Sequence, residues 1–408
     1  MNRFQTGSFA LLAIGLVFLS SIAFAQDNNS VVSANNQFAF NLYAKYKSED
    51  GNIFYSPYSI TSALAMTYEG ARGKTAEEIQ AVFHFPQDAV IRRESFLKID
   101  QKINQKDKKY KLNIANALWA QKDYKFMDDY FGLVEKYYGG KVTNLDFAHE
   151  IEKSRLTINS WVEGQTNNKI KDIIPQGVLQ PITRLVLTNA IYFKGSWLKP
   201  FHKKSTKEED FRINPTNKIK AQMMHLAGEK SNFNYGETDS LQILELPYEG
   251  SGLSMLILLP KEDNLKAIEE SLNSEKLSEW ENLLRNEEVN VYLPKFKFET
   301  KYFMAQDLIS LGMPTAFTPG IDFGGKADFS GMTGNKQLNI DAVIHQAFVD
   351  VNEEGTEAAA ATAVLMLDSI SMPKPIKIFK ADHPFVFIIQ DRETGNILFV
   401  GRVSDPTK

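Results

Sequence analysis

The strongest general bases in this chain are six histidines, at positions 84, 149, 202, 225, 345 and 383. Their spacing does not place two imidazoles on one helical face or hairpin, as a histidine metal centre requires. His149-Glu150 continues with Ile151, Glu152 and Lys153, so it is not the H-E-x-x-H zinc motif, and no G-x-S-x-G nucleophile elbow occurs. Members of a Ser-His-Asp triad need only meet in space, so spacing leaves one open, with nothing positive in its favour. There is no cysteine, which removes thiol nucleophiles, iron–sulfur clusters, thiolate zinc sites and disulfides. Gly70-Ala71-Arg72-Gly73-Lys74-Thr75 ends like a phosphate-binding loop, but the glycine required five positions before Gly73 is Tyr68. A helix exit followed by a new capping box fits better, and no G-x-G-x-x-G follows a strand pattern. Lys102, Lys106, Lys108, Lys109 and Lys111 could meet a polyanion such as a glycosaminoglycan, yet Asp107 interrupts them and a solvated face of a helix and its exit is the simpler reading.

One segment obeys no ordinary rule. Glu353-Glu354-Gly355-Thr356-Glu357 runs into Ala358, Ala359, Ala360 and Ala361, and then into Thr362-Ala363-Val364-Leu365-Met366-Leu367-Asp368-Ser369-Ile370. Four alanines favour a helix on propensity alone. As a strand, Thr356, Ala358, Ala360, Thr362 and Val364 share one small or β-branched face, with Glu357 on the other. No proline occurs between Gly355 and Met372, so every amide there can join a ladder, whereas Pro373 and Pro375 break regular structure. A pivot at one end, a strand-compatible middle and a proline stop suit a conformational switch.

The elements that must position this segment follow from periodicity. Ser56-Pro57, then Ile60, Ala63, Leu64 and Thr67, predicts a helix with its N-cap, and Thr75-x-x-Glu78 predicts a capping box before Ile79, Val82 and Phe83. The first third therefore reads as mostly helical. Strands are predicted at Leu185–Leu187, Ile191–Phe193, Leu241–Leu246, Leu253–Leu259 and Val289–Leu293, with a hairpin from Phe385–Ile389 to Ile397–Val400. Helices first and strands later give an α+β domain.

The chain has 408 residues and a formal charge of −4, with 43% hydrophobic and 24% charged residues, ordinary globular usage that excludes disorder. Near-balanced charge gives no global attraction to nucleic acid or acidic lipid. Arg3, the apolar run Phe9–Leu19 and Ala23-Phe24-Ala25 read as a cleaved signal peptide over residues 1–25, so the expected product is one exported, soluble domain over 26–408. No later stretch is long and apolar enough for a transmembrane helix.

These motifs together resemble the serpin family of serine protease inhibitors, through essentially all of the sequence after residue 25. Asn52–Ile60 resembles the entrance of the family's second helix, Thr188–Trp197 its third strand of the central sheet, Val291–Phe296 a neighbouring strand and Ala381–Phe385 the start of its C-terminal signature. The hinge Glu353–Ala361 is the most specific match. The resemblance implies three sheets and about nine helices, with the segment after Gly355 displayed as a reactive loop. A target protease would cut that loop, and the loop would then insert into the large sheet and trap the acyl-enzyme, so the protein would not be a turnover enzyme. A charge at position 356 would have to be desolvated on insertion at several kcal/mol, and threonine avoids this. Counting along the loop as the family does places the scissile bond at Ser369-Ile370, with cleavage after Leu367, Asp368 or Ile370 as alternatives. With no Arg or Lys between Gly355 and Pro373, elastase-like, subtilisin-like, chymotrypsin-like or papain-like proteases are favoured partners and trypsin-like ones disfavoured. The resemblance also assigns Ser56, Ser59, Asn189 and His345 to a hydrogen-bonded shutter, and Glu353, Lys295 and Trp197 to the point where the loop enters the sheet. It implies a monomer without cofactor or metal, and without nucleic-acid or membrane partners. The competing readings are a non-inhibitory carrier, chaperone or storage member and, more weakly, a secreted hydrolase.

Overall fold

The computed structural model of the protein describes residues 31–104, 109–228, 231–250, 252–319, 326–356 and 376–408. Helix α1 (31–46) leads into strand β1 (Ile53–Tyr55) and then α2 (Pro57–Gly70), α3 (Gly73–Phe83) and α4 (Ala89–Ile103). Strand β2 (Tyr110–Gln121), α5 (Asp128–Tyr138), β3 (Lys141–Leu145), α6 (Ile151–Gln165) and β4 (Leu185–Ser196) follow. Next come β5 (Lys207–Asn214), β6 (Asn217–Leu226), β7 (Asn232–Glu237), β8 (Leu241–Pro247) and β9 (Leu253–Pro260), then α7 (Leu265–Ser271), α8 (Ser274–Glu281), β10 (Arg285–Pro294) and β11 (Phe296–Phe303). The chain ends with α9 (Ala305–Leu311), α10 (Ser330–Thr333), β12 (Ala342–Asn352), β13 (Gly355–Thr356), β14 (Lys377–Lys380), β15 (Phe385–Asp391) and β16 (Ile397–Val403).

Among the described residues three sheets form, two of them joined. The first has the order β11-β12-β13-β4-β2-β3. The second runs β1-β16-β15-β9-β8-β7 and ends on Arg285–Glu288 of β10. The continuation of β10, Val289–Pro294, carries the third sheet, with β6 and β5 on one side and the parallel β14 on the other. This is the expected α+β architecture, with every strand read from the sequence in place.

Helix α2 runs through the middle of the molecule with all but one of its residues buried, its polar members Ser59, Thr61, Ser62, Thr67 and Glu69 included. Ser56 caps it, Oγ accepting from the Ser59 amide at 3.1 Å, and Pro57 occupies the first helical position, where no amide donor is needed. The second sheet and the first pack their facing sides around it in one large apolar cluster. On the opposite face of the first sheet, α6 and the segment that follows it lay Ile158, Val162, Ile170, Ile173 and Ile174 over Trp119, Tyr192, Ile344 and Phe348. Strand β4 and the later half of β2 are therefore covered on both faces and show no polar alternation.

The first third is mostly helical, as read, through α1 to α4 and into α5, although β2 crosses the molecule within it and pairs with β4 along Tyr110–Ala120. One local expectation is corrected. Thr75 and Glu78 form no capping box: α3 begins at Gly73 behind Arg72, without a side-chain cap. Thr75 Oγ1 instead accepts from the Asp328 amide at 3.0 Å, and Glu78 binds the amide and hydroxyl of Thr315, both at 2.8 Å. The lysines run from a helix through its exit into the next strand. Lys102 belongs to α4 and pairs with Asp391 at 2.9 Å and Glu393 at 2.8 Å, Lys111 lies in β2, and Lys106 and Lys108 fall outside the described residues.

Candidate functional site

The hinge and the top of the first sheet meet in a fork. Strands β4 and β12 run parallel and pair from Val186 and Ala342 up to Tyr192 and Phe348. Above that they splay, and β13 fills the gap: Gly355 pairs with Ser196 and Asn352, and Thr356 with Gly195 and Val351. Two hinge residues thus already form a strand antiparallel to both neighbours. Gly355 has φ of 151°, and a Cβ there would lie 2.1 Å from the Gly195 carbonyl oxygen, so only glycine fits. Thr356 is buried, which bears on why an uncharged residue stands there.

Around the fork, the expected residues come together. Lys295, at the junction of β10 and β11, lies 3.0 Å from Glu353 Oε2, and Thr206 donates its hydroxyl to Glu353 Oε1 at 2.7 Å. The Glu353 side chain is 7% exposed. Burial pushes its carboxyl up, but the hydrogen bonds from Thr206 and Lys295 outweigh this and hold it below the usual carboxylate range. Its neighbour Glu354 pairs with Lys203 at 2.6 Å. Trp197 donates Nε1–H to the Asn352 carbonyl at 3.0 Å and its amide to Glu354 at 2.9 Å, while the Phe201 amide reaches the Glu353 carbonyl at 2.8 Å. The approach to the hinge is thereby fixed through backbone and side chains at once. An open pocket of about 410 Å³ is bordered here by Lys203, Lys295, Asp350, Asn352, Glu353 and Glu354.

Lower down, a polar row crosses the apolar interior. His345 on β12 stands opposite Asn189 on β4, which stands opposite Asn116 on β2. The first step of that row bridges the seam between β4 and β12. Asn189 Nδ2 donates to Ser59 Oγ at 2.5 Å and also bonds Asn116, whose Nδ2 reaches the Ser59 carbonyl at 3.3 Å. The Ser56 amide donates to His345 Nε2 at 3.1 Å. Nε2 must therefore be the acceptor nitrogen, which leaves the hydrogen on Nδ1 to be donated to Asn189 Oδ1. Full burial lowers His345 from its ordinary value to about 3, so the ring is neutral. Every member of the row is buried. Separating β4 from β12 breaks the His345–Asn189 bond and costs more than parting apolar surfaces, since each freed group then needs a new partner.

Sequence reasoning missed Asn116, Thr206 and Lys203. Asn116 carried a signal, a lone amide within the apolar run Ala115–Ala120; the other two carried none, since only the fold brings residues 203 and 206 to residues 353 and 354. Glu357, Ala358, Ala359, Ala360, Ala361, Ser369 and Ile370 lie outside the described residues. Among the described residues no group of three or more His, Asp or Glu is arranged to hold a metal, and no helix is long and apolar enough to cross a membrane.

Comparison with known proteins gives the same picture. A family model described as serpin (serine protease inhibitor) matches residues 33–406. An uncharacterized serpin-like protein of Methanosarcina acetivorans is 44% identical over 383 residues, covering 92% of this chain and 88% of that one. The human leukocyte elastase inhibitor is 43% identical over 386 residues, covering 92% of this chain and 99% of the inhibitor. Among solved structures, human thyroxine-binding globulin in complex with thyroxine superposes with a TM-score of 0.83 at 31% identity, covering 94% of this chain and all of that one.

Proposed function

The chain belongs to the serpin family, and on that premise we propose that it is an exported suicide-substrate inhibitor of endopeptidases. The observation that carries this is β13. Its two residues already sit between β4 and β12, in the register a longer inserted strand would continue. In the proposed cycle the protease nucleophile attacks the Ser369 carbonyl, the Ser369–Ile370 bond breaks, and Ile370 leaves as a new amino terminus. The Ser369 acyl group stays esterified to the enzyme. The segment behind it then zips downward from Thr356, replacing the β4–β12 pairing with pairing to itself, and the tethered protease is carried along.

The groups around the fork divide the work. Glu353, Lys295 and Trp197 hold the approach to the hinge, while Ser56, Ser59, Asn116, Asn189 and His345 hold the seam closed until strand formation supplies new hydrogen bonds. Leu365, Met366, Leu367 and the small Ser369 suit elastase-like, subtilisin-like, chymotrypsin-like or papain-like pockets, and the relative named as an elastase inhibitor supports the first of these. Export is supported by Arg3, Phe9–Leu19 and Ala23-Phe24-Ala25. The inhibitor would act as a monomer.

The test is to incubate the protein lacking residues 1–25 with elastase, subtilisin, chymotrypsin, papain and trypsin, then run denaturing gels with mass spectrometry of released peptide. A boiling-resistant band at the summed mass and a peptide beginning at Ile370 are expected, with no such band for trypsin. Loop cleavage by all of them without a stable complex, and with no rise in melting temperature of the cut form, overturns the reading and favours a carrier, the kind of role the thyroxine complex of a structural neighbour illustrates.

A further inference from the structure

Tyr248, between β8 and β9, is held by the top of β4. It forms a single β-bridge with Trp197, its ring stacks on the Trp197 ring at 4.6 Å and 14°, and it meets Phe193 edge-on at 5.0 Å. Gly195 makes the approach feasible, since a Cβ there would lie 2.8 Å from Phe193 Cζ and 3.0 Å from Tyr248 Cδ1. Two aromatic neighbours, Trp197 and Phe193, and the bridge to Trp197 thus fix the ring and with it the direction of its hydroxyl. It lies 2.8 Å from Thr356 Oγ1, and neither residue is more than 1% exposed.

We propose that Tyr248 is the positioning residue for loop insertion: its hydroxyl docks the first hinge side chain and so sets what fraction of molecules stand with the new strand already nucleated. The proposal rests on the inhibitory reading above. Each hydroxyl is the other's hydrogen-bond partner and both residues are buried, so withdrawing Thr356 takes that partner from the Tyr248 hydroxyl. Docking is thereby favoured by the cost of the alternative as well as by the bond itself. A strand with one residue in register also extends more readily than one that must start, for the same reason that the first turn of a helix is the costly one.

Partner loss and partner replacement predict different outcomes, which makes the proposal testable by a double-mutant cycle. Tyr248→Phe keeps the ring stacking and orphans the Thr356 hydroxyl; Thr356→Val keeps the shape and orphans the tyrosine. Each single substitution should raise amide hydrogen exchange in peptides spanning Lys194–Trp197 and Asn352–Thr356 about fivefold, the size of one net hydrogen bond. With leukocyte elastase as the probe, each should also raise the number of inhibitor molecules consumed per protease trapped. The combined variant, with both groups apolar, should return exchange to within about twofold of the wild type, because no buried group is then left unpaired. Exchange unchanged in Tyr248→Phe, or additive damage in the combined variant, overturns the proposal. If the wild type is cut without trapping any protease and the cut form does not rise in melting temperature, the inhibitory reading fails, and the exchange cycle separately decides whether Tyr248 docks the hinge.

Discussion

Replacing Glu353 by lysine probes the fork most directly. The substitution removes a carboxylate that is 7% exposed, takes hydrogen bonds from Thr206 at 2.7 Å and Lys295 at 3.3 Å, and lies 3.0 Å from the Lys295 ammonium through its other oxygen. Charge-assisted bonds of this kind contribute about 1.5–3 kcal/mol, and the half-solvated Lys295 places this pair at the lower end. The new ammonium would face Lys295, and two like charges ~4 Å apart repel by about 4 kcal/mol at an effective dielectric near 20, roughly half of which Lys295 escapes by swinging into solvent. The total is about 3–4 kcal/mol. With ~2.1 cal/mol/K of unfolding entropy per residue over roughly 380 residues, that corresponds to a fall of about 4–5 °C in melting temperature. Glu353→Gln keeps the Thr206 bond and adds no repulsion, so it should lose only about 2 °C. Differential scanning fluorimetry at one scan rate measures both, and native gels after mild heating read the second consequence, accumulation of polymer or of an inserted monomer in Glu353→Lys. A melting temperature within 1 °C of wild type together with unchanged monomer on the gels would refute the reasoning and make Glu353 a bystander.

Three further outcomes are expected. Because folded His345 sits near 3 and an unfolded histidine near 6.5, the unfolded chain binds more protons between those values, so stability should be fully present above about pH 6.5 and fall as the pH drops toward 3; urea midpoints from pH 7 to 4 check this, and His345→Gln should flatten the slope by about one proton. Asn116→Ala removes a buried partner of both Ser59 and Asn189 and should cost about 2–3 kcal/mol by the same urea measurement. Strand β14 is tied by Lys377–Glu237 at 2.7 Å and Lys380–Glu209 at 2.9 Å, so Lys377→Ala combined with Lys380→Ala should speed loss of trapping activity on incubation at 45 °C, and salt at ~0.5 M should do so in the wild type by screening.

How much of this was legible in the residues depends on whether the information was local. Ser56-Pro57 could be read because capping is decided within four residues, and β8, β9, β15 and β16 because buried strands are continuous apolar runs. Strand β2 escaped notice because its later half is covered on both faces and the strand carries alanines at 115, 117 and 120, which read as readily for helix. Thr75 and Glu78 have the spacing of a cap but are spent on Asp328 and Thr315, some 240 to 250 residues away, and no local rule anticipates that. The same holds at the site. Ser56, Ser59, Asn189, His345, Lys295 and Glu353 were recognised through resemblance, whereas Thr206 and Lys203 join Glu353 and Glu354 only through the path of the chain between β4 and β5.

The register of β13 is also a ruler. Thr356 sits against Gly195 on one side and Val351 on the other, and moving nine places along an extended strand would bring Leu365 opposite Val186 and Ala342 together, the residues with which β4 and β12 begin to pair. The two sides of the slot thus run out at the same loop residue. Ser369 would then project four residues beyond, about 13 Å at the rise of a strand, clear of the sheet's lower rim. If the proposed cycle holds, the ester would be carried past the end of the slot, while a loop two or three residues shorter would leave it closer to the rim. Selection on this stretch can therefore act on its count of residues as strongly as on their identity.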